Sequence, residues 1–205
     1  MGDAPLRLLL ADDQALVRGA LAALLALEPD LQVVAEVGSG DEVVAACQAH
    51  DVDVALLDVE MPGLNGIEAT ARLKAVRPAT RVLIVTTFGR PGFLRRALQS
   101  GADGFVVKDT PARQLADAVR RVHAGLRVVD PTLAADSLVV GESPLTARES
   151  DVLRQAQGGA TIAAVAKALV LSEGTVRNHL SSAIRKTGAA TRAEAARIAQ
   201  ENGWL

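Results

Sequence analysis

Leu6-Arg7-Leu8-Leu9-Leu10-Ala11-Asp12-Asp13 is a mostly apolar run of strand length that ends on two acids. The same form returns three times. Val52–Leu57 ends on Asp58, Val82–Val85 ends on Thr86, and Gly104–Val107 ends on Lys108. With one more strand expected near 32–37, the strands fall at about 6–11, 32–37, 53–58, 81–86 and 104–107. Helical patterns lie between and after them, at about 14–27, 40–49, 66–76, 91–100 and 112–124. This alternation predicts a parallel α/β sheet, and residues at the carboxyl ends of such strands meet in one crevice at the topological switch point. Three carboxylates, a hydroxyl and an ammonium are therefore expected to converge.

Asp12, Asp13 and Asp58 on neighbouring strand ends have backbones about 5 Å apart. Carboxylates that close repel one another unless a cation joins them. Hard oxygen donors without His or Cys favour Mg2+, which keeps several waters and takes one or two carboxylates plus a phosphate oxygen. Asp58 is then free to attack phosphorus, Lys108 to hold a phosphoryl oxygen as a point charge, and Thr86 to hydrogen-bond another. Taken singly, Asp12-Asp13 reads equally well as a helix cap, whereas Thr86 reads more readily as strand propensity and Lys108 more readily as a solvated charge. Their succession at four strand ends points to a site.

Composition bounds the rest. A chain of 205 residues has room for one or two domains, and none of its apolar runs approaches the ~20 residues of a membrane span. Met1-Gly2-Asp3-Ala4-Pro5 lacks a basic leader pattern, and the single cysteine, Cys47, reads as a small buried hydrophobe. A cytoplasmic protein with no membrane contact of its own is expected. Charge is unevenly divided: residues 1–143 hold 14 Lys and Arg against 19 Asp and Glu, a balance of −5, whereas 144–205 hold 8 against 5, a balance of +3. Only the tail is suited to a polyanion.

The expected organisation is a phosphoacceptor domain at 1–124, a linker at 125–143 with a short helix near 132–138, and a helical domain at 144–205. Helices are expected there at about 146–157, 161–169, 173–186 and 192–202. The tight turn Leu169–Ser172 joins two of them as a helix-turn-helix. Val176, Leu180, Ala183 and Ile184 form the apolar stripe of the second, which turns Arg177, Asn178, Ser181, Arg185 and Lys186 outward. Arg, Asn and Ser near a helix start suit base edges and phosphates of double-stranded DNA, although a solvated helix face carries the same pattern.

Residues 6–124 resemble the receiver domain of a two-component response regulator. The resemblance rests on Asp12-Asp13, Leu56-Leu57-Asp58-Val59-Glu60-Met61-Pro62-Gly63-Leu64-Asn65-Gly66, Val85-Thr86-Thr87 and Gly104-Phe105-Val106-Val107-Lys108. It implies a flavodoxin-like, doubly wound, five-stranded parallel domain that accepts a phosphoryl group on Asp58 from a sensor histidine kinase. It further implies Mg2+ held by Asp13, Asp58 and the backbone carbonyl of Glu60, with Asp12 assisting through water. Thr86 and Phe105 become a switch pair, the hydroxyl moving onto the phosphoryl group as the ring turns inward; Phe105 reads equally as core. Receivers often carry Pro after the lysine, whereas Asp109 follows Lys108 here, so no cis peptide is assumed there.

The tail resembles the LuxR/NarL/FixJ-type DNA-binding domain at Leu145-Thr146-Ala147-Arg148-Glu149 and Leu171-Ser172-Glu173-Gly174-Thr175-Val176-Arg177-Asn178-His179-Leu180. By that resemblance Arg177, Asn178 and Ser181 face bases, Thr175 and Arg185 lie nearer the backbone, and the last helix pairs DNA-binding domains. Ile162-Ala163-Ala164 stands where the family commonly has Asn-Lys-Glu, which implies fewer phosphate contacts and a shallower salt dependence. The whole pattern, including Asn202-Gly203-Trp204-Leu205, looks most like DesR-type regulators, implying a kinase that senses membrane state and a lipid or transporter operon as target.

The first helix carries a core stripe, Val17, Leu21, Leu24 and Leu25, and a second stripe, Leu16, Ala20, Ala23 and Leu27. An apolar face this wide exceeds one sheet contact. The second stripe is expected to join the fifth helix, at Leu115, Val119 and Val122, in a homodimer formed on phosphorylation; the fourth helix with the fifth strand is the rival surface. A non-enzymatic transcriptional regulator is the reading these features favour. An aspartyl-phosphate phosphohydrolase would need an acid/base Asp where Glu60 stands, together with a substrate cap, and a phosphorylation-independent regulator would not need Asp13, Asp58, Thr86 and Lys108 all intact.

Overall fold

A hydrophobic strand covered on both faces belongs at the centre of a sheet, and that is where these runs lie. The computed structural model describes residues 4–87, 91–131, 133–135 and 143–205. Strands β1 (Leu6–Ala11), β2 (Leu31–Val37), β3 (Val54–Leu57), β4 (Arg81–Thr86), β5 (Gly104–Val107) and β6 (Val128–Val129) form one sheet in the order β2-β1-β3-β4-β5-β6, parallel throughout. Helices α1 (Ala15–Leu25), α2 (Val43–Ala49), α3 (Gly66–Val76), α4 (Pro91–Gln99) and α5 (Ala112–His123) connect them. The order reverses between β1 and β3, which places the crevice at the carboxyl ends of those two strands.

Among the described residues the sheet has six strands, one more than the sequence led us to expect. Gly125, at φ +84°, turns the chain out of α5, and Val128 and Val129 then pair with Gly104 and Phe105. Two residues are too few to show a period-two pattern, so the segment read as the start of a linker. The short helix expected near 132–138 falls mostly outside the described residues, as do Phe88, Gly89 and Arg90 before α4. No cis peptide occurs among the described residues.

Alternation along each strand divides the core into two layers. Leu8, Leu10, Leu56, Leu83, Val85 and Val106 pack with Leu25, Leu115, Val119 and Val122 of α1 and α5. Leu9, Ala11, Ala55, Leu57, Ile84 and Phe105 pack with Val43, Cys47, Ile67, Leu73 and Leu94 of α2, α3 and α4. This corrects the expected dimer surface, because Leu115, Val119 and Val122 are consumed by the sheet and present nothing to a second molecule. It also narrows the α1 core stripe: Leu25 is buried, Val17 and Leu21 are half-buried, and Leu24 is exposed, since α1 rests on β1, β2 and α5 along one edge only. Leu16 (87% exposed), Ala20, Ala23 and Leu27 (78%) face solvent.

The turn after β3 is fixed by local chemistry. Asn65 caps α3, its side chain accepting from Ile67 N–H (3.0 Å) and Glu68 N–H (2.9 Å), while Glu68 reaches back to Asn65 N–H. A Cβ at Gly66 would lie 2.0 Å from the Asp58 carbonyl oxygen, so only glycine lets α3 start this close to Asp58.

The chain's contacts divide it into two compact units, the second formed by the C-terminal helices. These are α6 (Ala147–Gln155), α7 (Ile162–Leu169), α8 (Glu173–Thr187) and α9 (Arg192–Glu201). Thr146, Thr161, Ser172 and Thr191 cap their starts, and Gly188 ends α8 in the left-handed region. Val152, Leu153, Val165, Val176, Leu180, Ala183, Ala195 and Ala199 form the core, with Trp204 and Leu205 packed against it. No described helix is long and apolar enough to cross a membrane.

Candidate functional site

Hydrogen bonding extends the sheet one step past β1 and β3, and this step builds the site. Asp12 N–H donates to the Val37 carbonyl (3.2 Å) and Asp58 N–H to the Ala11 carbonyl (2.8 Å), so both acids leave the sheet side by side. Lys108, placed just after β5 by its N–H bond to the Thr86 carbonyl (2.8 Å), sends its ammonium between them. Nζ lies 2.7 Å from Asp12 Oδ2 and 2.9 Å from Asp58 Oδ2. Asp12 and Asp58 are each about 3% exposed, whereas Asp13 stands at the open side of the crevice. One carboxylate oxygen from each of the three acids falls within a 4.8 Å group.

The electrostatics follow from burial. Asp58 is pushed above the usual carboxylate range by desolvation, against the Lys108 hydrogen bond that favours its charge, with Asp12 adding repulsion. Burial works against the Lys108 ammonium too, but hydrogen bonds to Asp12 and Asp58 outweigh it and raise its pKa. Asp58 Oδ1 is buried and has no hydrogen-bond partner. A buried carboxylate oxygen left bare costs free energy unless something electropositive meets it. The donor set around it is all carboxylate, the chemistry that suits a hard divalent cation such as Mg2+.

Thr86 closes β4 and is buried, and Phe105 is wholly buried in β5. The ring is already part of the core layer with Ile84 and Phe93, which is the packing role weighed for it from sequence. Glu60, two residues past Asp58, has an exposed side chain. Sequence reading missed Arg18. Its guanidinium donates to the Asp12 main-chain carbonyl and lies 3.5 Å from Glu36. A partner that is a backbone oxygen leaves no trace in sequence spacing.

In the C-terminal unit, α8 exposes Arg177, Asn178, Ser181 and Arg185 at spacings that share one side of a helix. Arg177 is held by Glu173 one turn earlier (2.7 Å). Thr175 is half-buried and its hydroxyl bonds the Ser172 hydroxyl (2.8 Å), so its expected outward role is shared with capping. Lys186 departs from expectation. Its ammonium sits 2.7 Å from the buried Glu149 carboxylate and fastens α8 to α6, instead of standing free on the side expected to meet DNA. Burial would raise the Glu149 pKa, but Lys186, the Thr146 N–H and the Ser182 hydroxyl reverse this and bring it to about 2.

Comparison with known proteins places both units. The family described as response regulator receiver domain matches residues 8–120, and that described as bacterial regulatory proteins, luxR family, matches 143–199. The chain is 41% identical over 200 residues to the uncharacterized transcriptional regulatory protein YvfU of Bacillus subtilis (strain 168), covering 98% of this chain and 100% of that protein. It is 38% identical over 196 residues to the transcriptional regulatory protein DesR of the same organism, with 96% and 97% covered. Among solved structures, the response regulator ChrA of a heme-sensing two-component system is 30% identical, with a TM-score of 0.59 and 99% and 100% of the two chains covered. The protein is thus a two-component response regulator with a LuxR-type DNA-binding domain, a member of a family of transcriptional regulators and not of enzymes.

Proposed function

We propose that this regulator is switched by phosphorylation of Asp58 in the presence of Mg2+. The observation that carries the reading is the buried Asp58 carboxylate, with Oδ2 held by Lys108 and Oδ1 unpartnered in a group of three acids. Oδ1 attacks the phosphorus of a sensor kinase's phosphohistidine, the P–N bond breaks, and the leaving imidazole takes up a proton. Asp13, Asp58 and the Glu60 carbonyl are the proposed ligands of Mg2+, with Asp12 assisting through water. When bound, the cation neutralises charge on the transferring phosphoryl oxygens. Lys108 then moves its hydrogen bond from Asp58 to a phosphoryl oxygen, and the Thr86 hydroxyl takes another, with Phe105 packed behind it.

The output in this reading is a homodimer that binds double-stranded DNA in the cytoplasm. Leu16, Ala20 and Ala23 of α1, with Leu27 just past its end, are the proposed pairing stripe. Arg177, Asn178 and Ser181 read bases, with Thr175 and Arg185 nearer the phosphates. The resemblance to DesR-type regulators is what supports a membrane-lipid or transporter operon as the target, and the chain is 38% identical to DesR over 196 residues. The chemistry is tested by incubating wild type and Asp58→Asn with acetyl phosphate, with and without Mg2+. Mg2+-dependent, hydroxylamine-labile labelling of wild type alone is expected. Equal labelling of Asp58→Asn overturns the assignment.

A further inference from the structure

The carbonyl of Asp12 lies past the end of β1 and before Gln14, the residue that opens α1. Neither the sheet ladder nor the helix supplies it with a donor, and a main-chain carbonyl in a closed site needs one. Arg18, on the first turn of α1, provides it through Nη1. The Arg18 side chain is only 21% exposed, and its guanidinium also faces Glu36 at 3.5 Å.

We propose that Arg18 is a positioning residue for the cation and phosphoryl site; this rests on the reading that the acidic group holds a divalent cation. Asp12 is tethered at every polar atom. Its N–H donates to Val37 (3.2 Å), Oδ1 accepts from Gln14 N–H (3.0 Å), Oδ2 meets Lys108 (2.7 Å), and the carbonyl meets Arg18. Asp13 is exposed, and the direction in which it leaves the chain is set by the peptide plane that joins it to Asp12. That plane is the one Arg18 holds. Without the guanidinium the Asp12 carbonyl has no donor, the peptide is free to turn, and the Asp13 carboxylate leaves the group.

Glu36 has a matching part. A lone guanidinium beside three carboxylates would compete with a dication through its charge. Paired with Glu36, Arg18 orients the peptide while adding little net positive charge to the site. Orientation and charge therefore make opposite predictions for the loss of Arg18. Charge alone predicts tighter Mg2+ binding when the cation is removed, and orientation predicts weaker binding.

The test is calorimetric titration of the full chain with Mg2+, for wild type, Arg18→Met, Arg18→Lys and Asp58→Asn, with circular dichroism as the check on folding. Arg18→Met is expected to bind Mg2+ about tenfold more weakly, the scale at which groups that orient metal ligands act. Arg18→Lys keeps the charge but loses the planar fork, and is expected to fall between Met and wild type. Should the Met variant fail to fold, the Lys variant alone carries the test. A Kd equal to or below that of wild type in any folded Arg18 variant overturns the proposal. A wild type that binds no Mg2+, or an Asp58→Asn that binds as wild type does, removes the underlying reading and the proposal with it.

Discussion

Asp58 shows at a single residue how a site can be unstable by itself and stable with its ligand. Its pKa is raised by burial, so its favourable contribution to folding is present below the unfolded carboxylate pKa and lost as pH rises through the folded value. Once ionised, the buried group opposes folding, and a bound dication reverses that. Asp58→Asn is therefore expected to raise the metal-free Tm at pH 7 and to abolish the rise that Mg2+ gives wild type. That rise corresponds to about 2.7 kcal/mol at a hundredfold excess over Kd. A scanning calorimeter reads both, and a Mg2+ response retained in Asp58→Asn would contradict the assignment. Glu149 has the opposite sign. Its pKa is lowered to about 2, so its contribution is present above the unfolded value and lost as pH falls from there to about 2. Glu149→Gln keeps the helix cap but not the negative charge that faces Lys186, and should cost about 2 kcal/mol at neutral pH, converging with wild type in acid. Denaturation at the two pH values measures the difference.

At the scale of elements, what the sequence made legible depended on how many residues shared a signal. Four of the five longer strands were readable because apolar runs ended on chemically distinct residues, and the convergence of Asp12, Asp13, Asp58 and Lys108 followed from strand order alone. β6 was not readable, because two residues carry no periodicity. The wide apolar face of α1 was legible, but its partner on α5 was not, since Leu115, Val119 and Val122 carry the same letters whether they meet a sheet or a second molecule. Lys186 looked free because its partner, Glu149, lies 37 residues away in the chain. The turn between α7 and α8 holds a further surprise. Val170 takes φ +56°, a left-handed conformation that β-branched residues resist, and the residue is 91% exposed. No packing rewards that strain. Val170→Asn is expected to stabilise the C-terminal unit by about 1 kcal/mol. An unchanged or lower Tm would mean that the turn is not left-handed there.

For the whole molecule, pairing of two chains is the proposed link between the acidic site in one unit and the helix α8 proposed to read DNA in the other. The exposed α1 stripe is the surface proposed to carry that link. Leu16→Glu combined with Ala23→Glu should leave Asp58 able to accept a phosphoryl group while preventing dimers in sedimentation. Undiminished dimerisation would move the interface to another face. The polar residues missing from α7 and the commitment of Lys186 to Glu149 leave few cations for phosphates, so the salt dependence of DNA binding should be shallow. The most direct measurement follows oligomeric state and binding to the promoter of the neighbouring operon, with and without acetyl phosphate and Mg2+, for wild type and Asp58→Ala. The account predicts that wild type dimerises and binds only when phosphorylated, and that Asp58→Ala does neither. Equal binding by both proteins without a phosphoryl donor would contradict it.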